Sequence, residues 1–308
     1  MRDETVFVSP TNVNWTYWLD FVEKRVVHYM KRLAIIAGKG HLPIDVAAAA
    51  KAKGYDVLML PIEGQADADF SKYKVSQIRL GGIGKTRSII MQQGIDQLVM
   101  VGKVVWPSIG ALRPDFDGVK LLSKMMTRGD DNVLRLVAAY FSEKGIETLA
   151  PDRFLPNRKM PLGVVHNSGS ADQGAISAEA NRAITYGAAV LESLGKHDVG
   201  QSLVLQNGRI IAIEAAEGSD EMIARSAGLL DPNGGIACFV KMAKSTQDLR
   251  LDVPVFGGET IRSASIAGVS LLAIEAENVM LADDLSSIQS FCTAYGITLV
   301  GIERQCVS

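Results

Sequence analysis

From residue 31 onward, short apolar runs alternate with stretches of helical period, and glycines punctuate the joints. "RLAIIAG" reads as a buried strand ending in glycine. "LPIDVAAAAKAKG" reads as a helix with Pro43 in its first turn and Gly54 at its end. "DVLMLPI" predicts the next strand. "SQIRL", the helix "GKTRSIIMQQG" and the strand "QLVMVG" repeat the unit, and the helices "GVKLLSKMM" and "DNVLRLVAAYFSEKG" lead into "IETLA". Strands separated by helices at this interval predict a parallel sheet with ligand-facing loops at the strands' carboxyl ends.

"PDRFLPNRKMP" (151–161) is rich in proline and charge and reads as a domain boundary. Beyond it, "GAISAEANRAITYGAAVLESLG" predicts a long helix. "QSLVLQNGRIIAIEA" predicts a hairpin, with Asn207-Gly208 suited to a type I′ turn. The strands "IACFVKM", "VPVF", "SLLAIEA" and "ITLVGI" then alternate with the helices "ETIRSASIAG" and "LSSIQSFCTAYG". The expected fold class is therefore two-domain α/β. An N-terminal Rossmann-like parallel α/β domain spans 30–155, and a C-terminal mixed α/β domain with a β-hairpin spans 156–308.

Residues 1–29 differ from the rest, with Trp15, Trp18 and no glycine, and are read as an N-terminal extension ahead of a natural start at Met30. The chain has 308 residues, 47% hydrophobic and 21% charged, enough for two ordinary cores. A net charge of −2 gives no global basic field for nucleic acid, so no nucleic-acid partner is expected. Cys238, Cys292 and Cys306 lack metal-ligand spacing and suit reduced thiols of a cytoplasmic protein. No run approaches a bilayer span, and the first residues carry no secretory h-region. Nothing decides between a monomer and a homodimer, and a homodimer stays open.

Candidate chemistry gathers at the glycine loops. "GKGHLP" joins a strand to a helix, where backbone amides suit an anion, or where glycines merely turn a corner. Gly38, Gly40 and His41 are its candidates for substrate contact, with His41 a polar contact rather than a base. "RLGGIGKTR" fails as a P-loop, because Arg79 stands where that loop needs its first glycine. Gly102 and Lys103 end the strand "QLVMVGK" on the predicted ligand edge. In "RGDDNVLR", capping accounts for one of Asp130 and Asp131, and Asp131 is kept as a ligand candidate.

The second domain sets an acidic turn, "IIAIEAAEGSDEM", near a charged loop, "KMAKSTQDLRLDVP". A capped, solvated turn and a solvated loop are the ordinary readings. Together they also supply what a metal–pyrophosphate site requires: carboxylates for Mg²⁺, and Lys241, Lys244 and Arg250 for phosphate charge. Within the turn, Ser219 is the expected helix N-cap, Glu221 suits the helix dipole, and Glu214 and Glu217 are ligand or supporting candidates.

"RLAIIAGKGHLP", "GKVVWPSIGALRPD", "RGDDNVLR", "VGQSLVLQNGRIIAIEAAEGSDEMI" and "KMAKSTQDLRLDVPVFGGETI" together resemble the UDP-2,3-diacylglucosamine pyrophosphatases of lipid A biosynthesis, in their magnesium-dependent branch. The resemblance covers about Met30 to Ile302. It implies hydrolysis of UDP-2,3-diacylglucosamine to UMP and 2,3-diacylglucosamine 1-phosphate (lipid X) by water attacking the α-phosphorus, with substrate between the domains. It further implies Mg²⁺ as cofactor, Asp220 as the essential aspartate of "EG-[ST]-D", Asp220 and Glu217 as metal candidates, and Gln201 among the substrate contacts. An acylated substrate implies peripheral contact with the cytoplasmic leaflet of the inner membrane. One departure is Trp106, where arginine is expected before the proline. The competing class is a non-catalytic sugar-nucleotide or acyl-lipid binding protein.

Overall fold

The computed structural model describes residues 31–105, 112–128, 133–169, 174–245 and 247–304. Five strands, β1 (Arg32–Ala37), β2 (Asp56–Pro61), β3 (Lys74–Val75), β4 (Gln97–Val101) and β5 (Glu147–Leu149), form a parallel sheet in the order β3-β2-β1-β4-β5. β1 is the hub: Leu33 registers with Val57 on one side and with Gln97 on the other. Both faces of β1 are covered, which is why it reads as a continuous apolar run. Helix α1 (Leu42–Ala52) packs Leu42 and Val46 against Leu33 and Ile35. Helices α2 (Ile83–Gln92), α3 (Phe116–Arg128) and α4 (Val133–Ser142) bring Ile90, Leu121, Val137 and Phe141 to the core that holds Ala34 and Leu98. Each such fully buried side chain contributes roughly 1.5–3 kcal/mol.

The edge strand is not where "SQIRL" predicted it. β3 lies just upstream, and Ile78 makes only an isolated bridge with Ile62. The chain turns immediately afterwards, with the Gly82 amide donating to the Arg79 carbonyl, so the apolar run cannot extend along β2.

The second sheet has six strands in the order β6-β13-β11-β9-β7-β8. β7 (Ser202–Gln206) and β8 (Arg209–Ile213) form the expected hairpin, with Asn207 and Gly208 at φ +52° and +70°, as a type I′ turn demands. β9 (Ala237–Lys241), β11 (Leu271–Glu275) and β13 (Thr298–Ile302) are mutually parallel, while β6 (Gly163–His166) and β7 run antiparallel to their neighbours. Two short strands, β10 (Val255–Phe256) and β12 (Met280–Leu281), pair separately. Helix α5 (Ala178–Gly195), capped by Ser177, lays Ile184 and Leu191 on one face against Leu203 and Val240. Its apolar stripe is therefore core. Helices α6 (Ser219–Ser226), α7 (Gly258–Ala267) and α8 (Leu285–Tyr295) cover the other face around Phe239.

The proline-rich stretch 151–161 is packed rather than loose. Phe154 enters the core beside β1, and Met280 of β12 joins that same core. The Arg158 guanidinium donates to Asp45 at 3.0 Å and to the Ala282 carbonyl at 2.6 Å, tying α1 to the second sheet's elements.

Candidate active site between the two sheets

In a sheet ordered β3-β2-β1-β4-β5, the strand order reverses between β1 and β4, and open α/β sheets carry their ligands beyond the carboxyl ends of the strands at such a point. Gly38 follows β1, and Gly102 and Lys103 follow β4. The two loops hydrogen-bond to each other: the Gly38 amide donates to Val101, and Lys39 and Lys103 exchange amide–carbonyl bonds. The fit is so close that a Cβ on Gly38 would lie 2.6 Å from the Lys103 carbonyl oxygen. The Gly40 amide donates to the Asp67 carboxylate. The amides of residues 38–40 are thus spent inside the protein. Gly38 serves the close approach of the two loops and Gly40 the left-handed turn at φ +99°, and with their amides engaged they do not form an anion cradle. Gly102, at φ +101°, belongs to the same approach, and what the paired loops deliver outward is the Lys103 side chain.

Opposite it stands Asp220. β8 ends at Ile213, and Gly218, at φ +87°, holds the N-cap position of α6 with no side chain capping it. This corrects the expected role of Ser219, whose hydroxyl faces inward. It donates to Glu214 Oε2 at 3.0 Å and accepts from Lys241 Nζ at 3.0 Å. Ser202 Oγ also donates to Glu214 Oε2, at 2.6 Å. One residue on, Asp220 points away from this buried group. Its Oδ1 accepts from Thr260 Oγ1 at 3.2 Å, and its Oδ2 lies 3.9 Å from Lys103 Nζ. Both partners in that last contact are well exposed, so it adds little stability. It does place a cation of the first sheet against a carboxylate of the second.

Lys241 is the last residue of β9 and is buried, not a member of the basic loop that follows. Burial pushes its ammonium pKa down, the Glu214 and Asp220 carboxylates pull it up again, and Lys103 opposes them. The other predicted cations are held elsewhere. Lys244 pairs with Asp198 at 2.7 Å, and Arg250 grips Asp248 through two bonds. Gln201 lines a cleft of about 430 Å³ with Asp198, Glu214, Lys244 and Asp252, and its buried side-chain oxygen finds no partner among the described residues. His41 sits exposed at the start of α1, with Nε2 3.4 Å from Asp45. Asp131, Asp130 and Trp106 lie outside the described residues.

Glu217 is turned from Asp220 to Arg225, whose guanidinium donates to it twice, at 2.8 and 3.1 Å. Among the described residues, no group of three or more His, Cys, Asp or Glu side chains is placed to hold a metal. Mg²⁺ is commonly bound by one or two carboxylates together with substrate phosphates. Asp220, a single half-exposed carboxylate, fits that mode, whereas a cage built from protein ligands alone has no counterpart among the described residues. Sequence reasoning missed Thr260 and Ser202. Both come from elements distant in the chain, and no local spacing marks either hydroxyl.

The N-terminal domain of the LpxI family matches residues 32–158, and the LpxI C-terminal domain matches residues 167–300. The chain is 28% identical over 284 residues to "UDP-2,3-diacylglucosamine pyrophosphatase LpxI" of Caulobacter vibrioides, a match covering 90% of this chain and 99% of that protein. Among solved structures, a GalE-like L-threonine dehydrogenase from Cupriavidus necator aligns at a TM-score of 0.29 and 11% identity, over 82% of this chain and 68% of its own. A putative epimerase from Burkholderia cenocepacia J2315 aligns at 0.26 and 13%, over 87% of this chain and 92% of its own. Scores this low carry no argument about fold or chemistry. The two LpxI domains follow one another in order and between them span most of the described sequence: the chain belongs to the LpxI family.

Proposed function

We infer that this chain hydrolyses the pyrophosphate bond of UDP-2,3-diacylglucosamine, giving UMP and 2,3-diacylglucosamine 1-phosphate, as a hydrolase of lipid A biosynthesis. Family membership through both halves of the chain carries the reading, and the 3.9 Å meeting of Lys103 with Asp220 is what supports locating the chemistry there. The substrate's pyrophosphate bears two negative charges that repel an attacking water. Lys103, exposed beside Asp220, would offset that charge directly, the buried Lys241 would add its positive charge from behind Asp220, and Asp220 would orient the water and take up its proton. The new P–O bond forms at the α-phosphorus. The bond to the bridging oxygen breaks, and that oxygen leaves with the sugar phosphate. Mg²⁺, held by Asp220 and phosphate oxygens, would supply charge neutralisation there. Among the described residues no helix is long and apolar enough to cross a membrane. Independently of that, the substrate's two acyl chains are the reason to propose an encounter at the surface of the cytoplasmic leaflet of the inner membrane.

The test is to incubate the purified protein with UDP-2,3-diacylglucosamine in ¹⁸O-labelled water, with Mg²⁺ and with EDTA. We expect equimolar UMP and lipid X only with Mg²⁺, the label in UMP, and no turnover by Asp220→Ala. Undiminished release by that variant would remove Asp220 from the chemistry. Tight substrate binding with no turnover at any Mg²⁺ concentration would replace the enzyme with a lipid-binding protein.

A further inference from the structure

Behind Asp220 lies a group of four buried polar side chains: Ser202, Glu214, Ser219 and Lys241 are 0, 7, 9 and 5% exposed. The direction of each hydrogen bond follows from chemistry alone. An ammonium only donates and a carboxylate only accepts. The Ser219 hydroxyl must therefore accept from Lys241 and spend its single proton on Glu214. The Ser202 proton is likewise committed to Glu214, at 2.6 Å, so its 3.2 Å approach to Ser219 is a by-product of both hydroxyls reaching one oxygen. The result is a one-way chain from Lys241 through Ser219 to Glu214, with the two charges bridged by a hydroxyl.

Stability alone gives little reason for this arrangement. Taking an ammonium and a carboxylate out of water costs several kcal/mol each, and apolar residues in such places are often as stable or more so. What the group does have is position. Ser219 is the first residue of α6 and the immediate neighbour of Asp220, no side chain caps that helix start, and Lys241 ends β9 directly beneath it. The bridge pins the one turn of chain whose tilt decides where the Asp220 carboxylate lies relative to Thr260 and Lys103.

We propose that Glu214 and Ser219 are positioning residues for the hydrolytic site: Glu214 orients the Ser219 hydroxyl, which fixes both the Lys241 ammonium and the start of α6 that carries Asp220. This rests on the pyrophosphatase reading above. Neither residue touches substrate. Both act through Lys241 and Asp220.

The experiment compares Ser219→Ala, Ser219→Thr and Glu214→Gln with the wild type in steady-state hydrolysis, with melting temperature recorded for each. Ser219→Ala should lower kcat about 10–100-fold, the usual cost of removing a group that orients a reacting or liganding side chain, with KM changed less than about threefold. Ser219→Thr, which keeps the hydroxyl, should recover most of the loss. Glu214→Gln should follow Ser219→Ala in kcat. Should Glu214→Gln fail to fold, the smaller Ser219→Ala change decides the matter with Ser219→Thr. A Ser219→Ala kcat within about twofold of wild type overturns the proposal. So does an equal loss in Ser219→Thr, or a loss that only tracks the unfolded fraction. A wild type that releases no UMP ends the functional reading and the proposal with it, whereas an active wild type beside unaffected variants ends the proposal alone.

Discussion

Two strand-to-helix turns in this protein look alike in sequence and do opposite work. "GKGH" links β1 to α1, and "EGSD" leads from β8 into α6. In the first, the amides of residues 38–40 are all engaged within the protein; Gly38 is there because two loops nearly touch, and Gly40 because the backbone turns left-handed. In the second, the glycine sets the helix start, the serine anchors it inward and the aspartate is left facing outward. A glycine before a helix is thus no sign of an anion site by itself. The backbone's hydrogen bonds have to be followed first. Where they are already satisfied, function passes to the side chains that the loop presents.

The largest effect should come from the second turn. Asp220→Asn keeps the shape and removes the charge, and we expect kcat to fall on the order of 10³-fold, as for loss of a general base. Circular dichroism and melting temperature should change little, because the side chain is half exposed and the asparagine amide oxygen can still accept from Thr260. Activity within tenfold of wild type would mean that the two turns do not differ in the way described. Next is Lys103→Met, which trims the cation delivered by the first turn. It should cost about 10–100-fold in kcat/KM, less than a full 10²–10³-fold donor loss, since Lys241 remains.

Gly38→Ala probes the same turn from the backbone side. Its Cβ would meet the Lys103 and Gly102 carbonyls at 2.6 and 2.7 Å, and backbone must shift to admit it. Overpacking of this kind costs about 1–3 kcal/mol. We expect a lowered melting temperature together with a loss of activity no larger than that of Lys103→Met. A variant with unchanged melting temperature but strongly raised KM would return the loop to the role of phosphate cradle.

The sequence read well wherever its signals are local. Apolar period located β1, α1, β9 and α8, Asn207-Gly208 located the hairpin turn, and a glycine at a strand end located Lys103. It read poorly wherever a residue's meaning depends on what folds onto it. Lys241 stands both in the expected strand "IACFVKM" and at the head of the charged loop "KMAKSTQDLRLDVP", and only the packed sheet assigns it to the strand and buries it. Ser219 looks like a cap until Glu214, just past β8, and Lys241, at the end of β9, claim its hydroxyl. Thr260 is forty positions from Asp220 and reaches it only because α7 packs beside α6. β6 and β3 are too short to show an alternation, and their partners are distant in the chain. Four carboxylates crowded into one turn could not be separated by spacing. Their partners separate them.

Glu217 sharpens that last point and should show the smallest effect. It stands three residues from Asp220 in the same acidic turn, but its partner is Arg225. Its own backbone amide and the Arg225 guanidinium hold its carboxyl below the ordinary value of 4.5. A depressed pKa means that the contribution to stability is present above that ordinary value and is lost as pH falls through and below it. Glu217→Gln should therefore lower the melting temperature slightly at pH 7, and the difference should close under acid. The surface setting keeps the effect small even at neutral pH. In the hydrolysis assay the same variant should keep kcat and the Mg²⁺ concentration for half-activity within about twofold of wild type, since the carboxylate is spent on a guanidinium. A shift of tenfold or more in that Mg²⁺ requirement would show that Glu217 leaves Arg225 to join Asp220 when substrate binds, and the division of labour within the acidic turn would have to be redrawn.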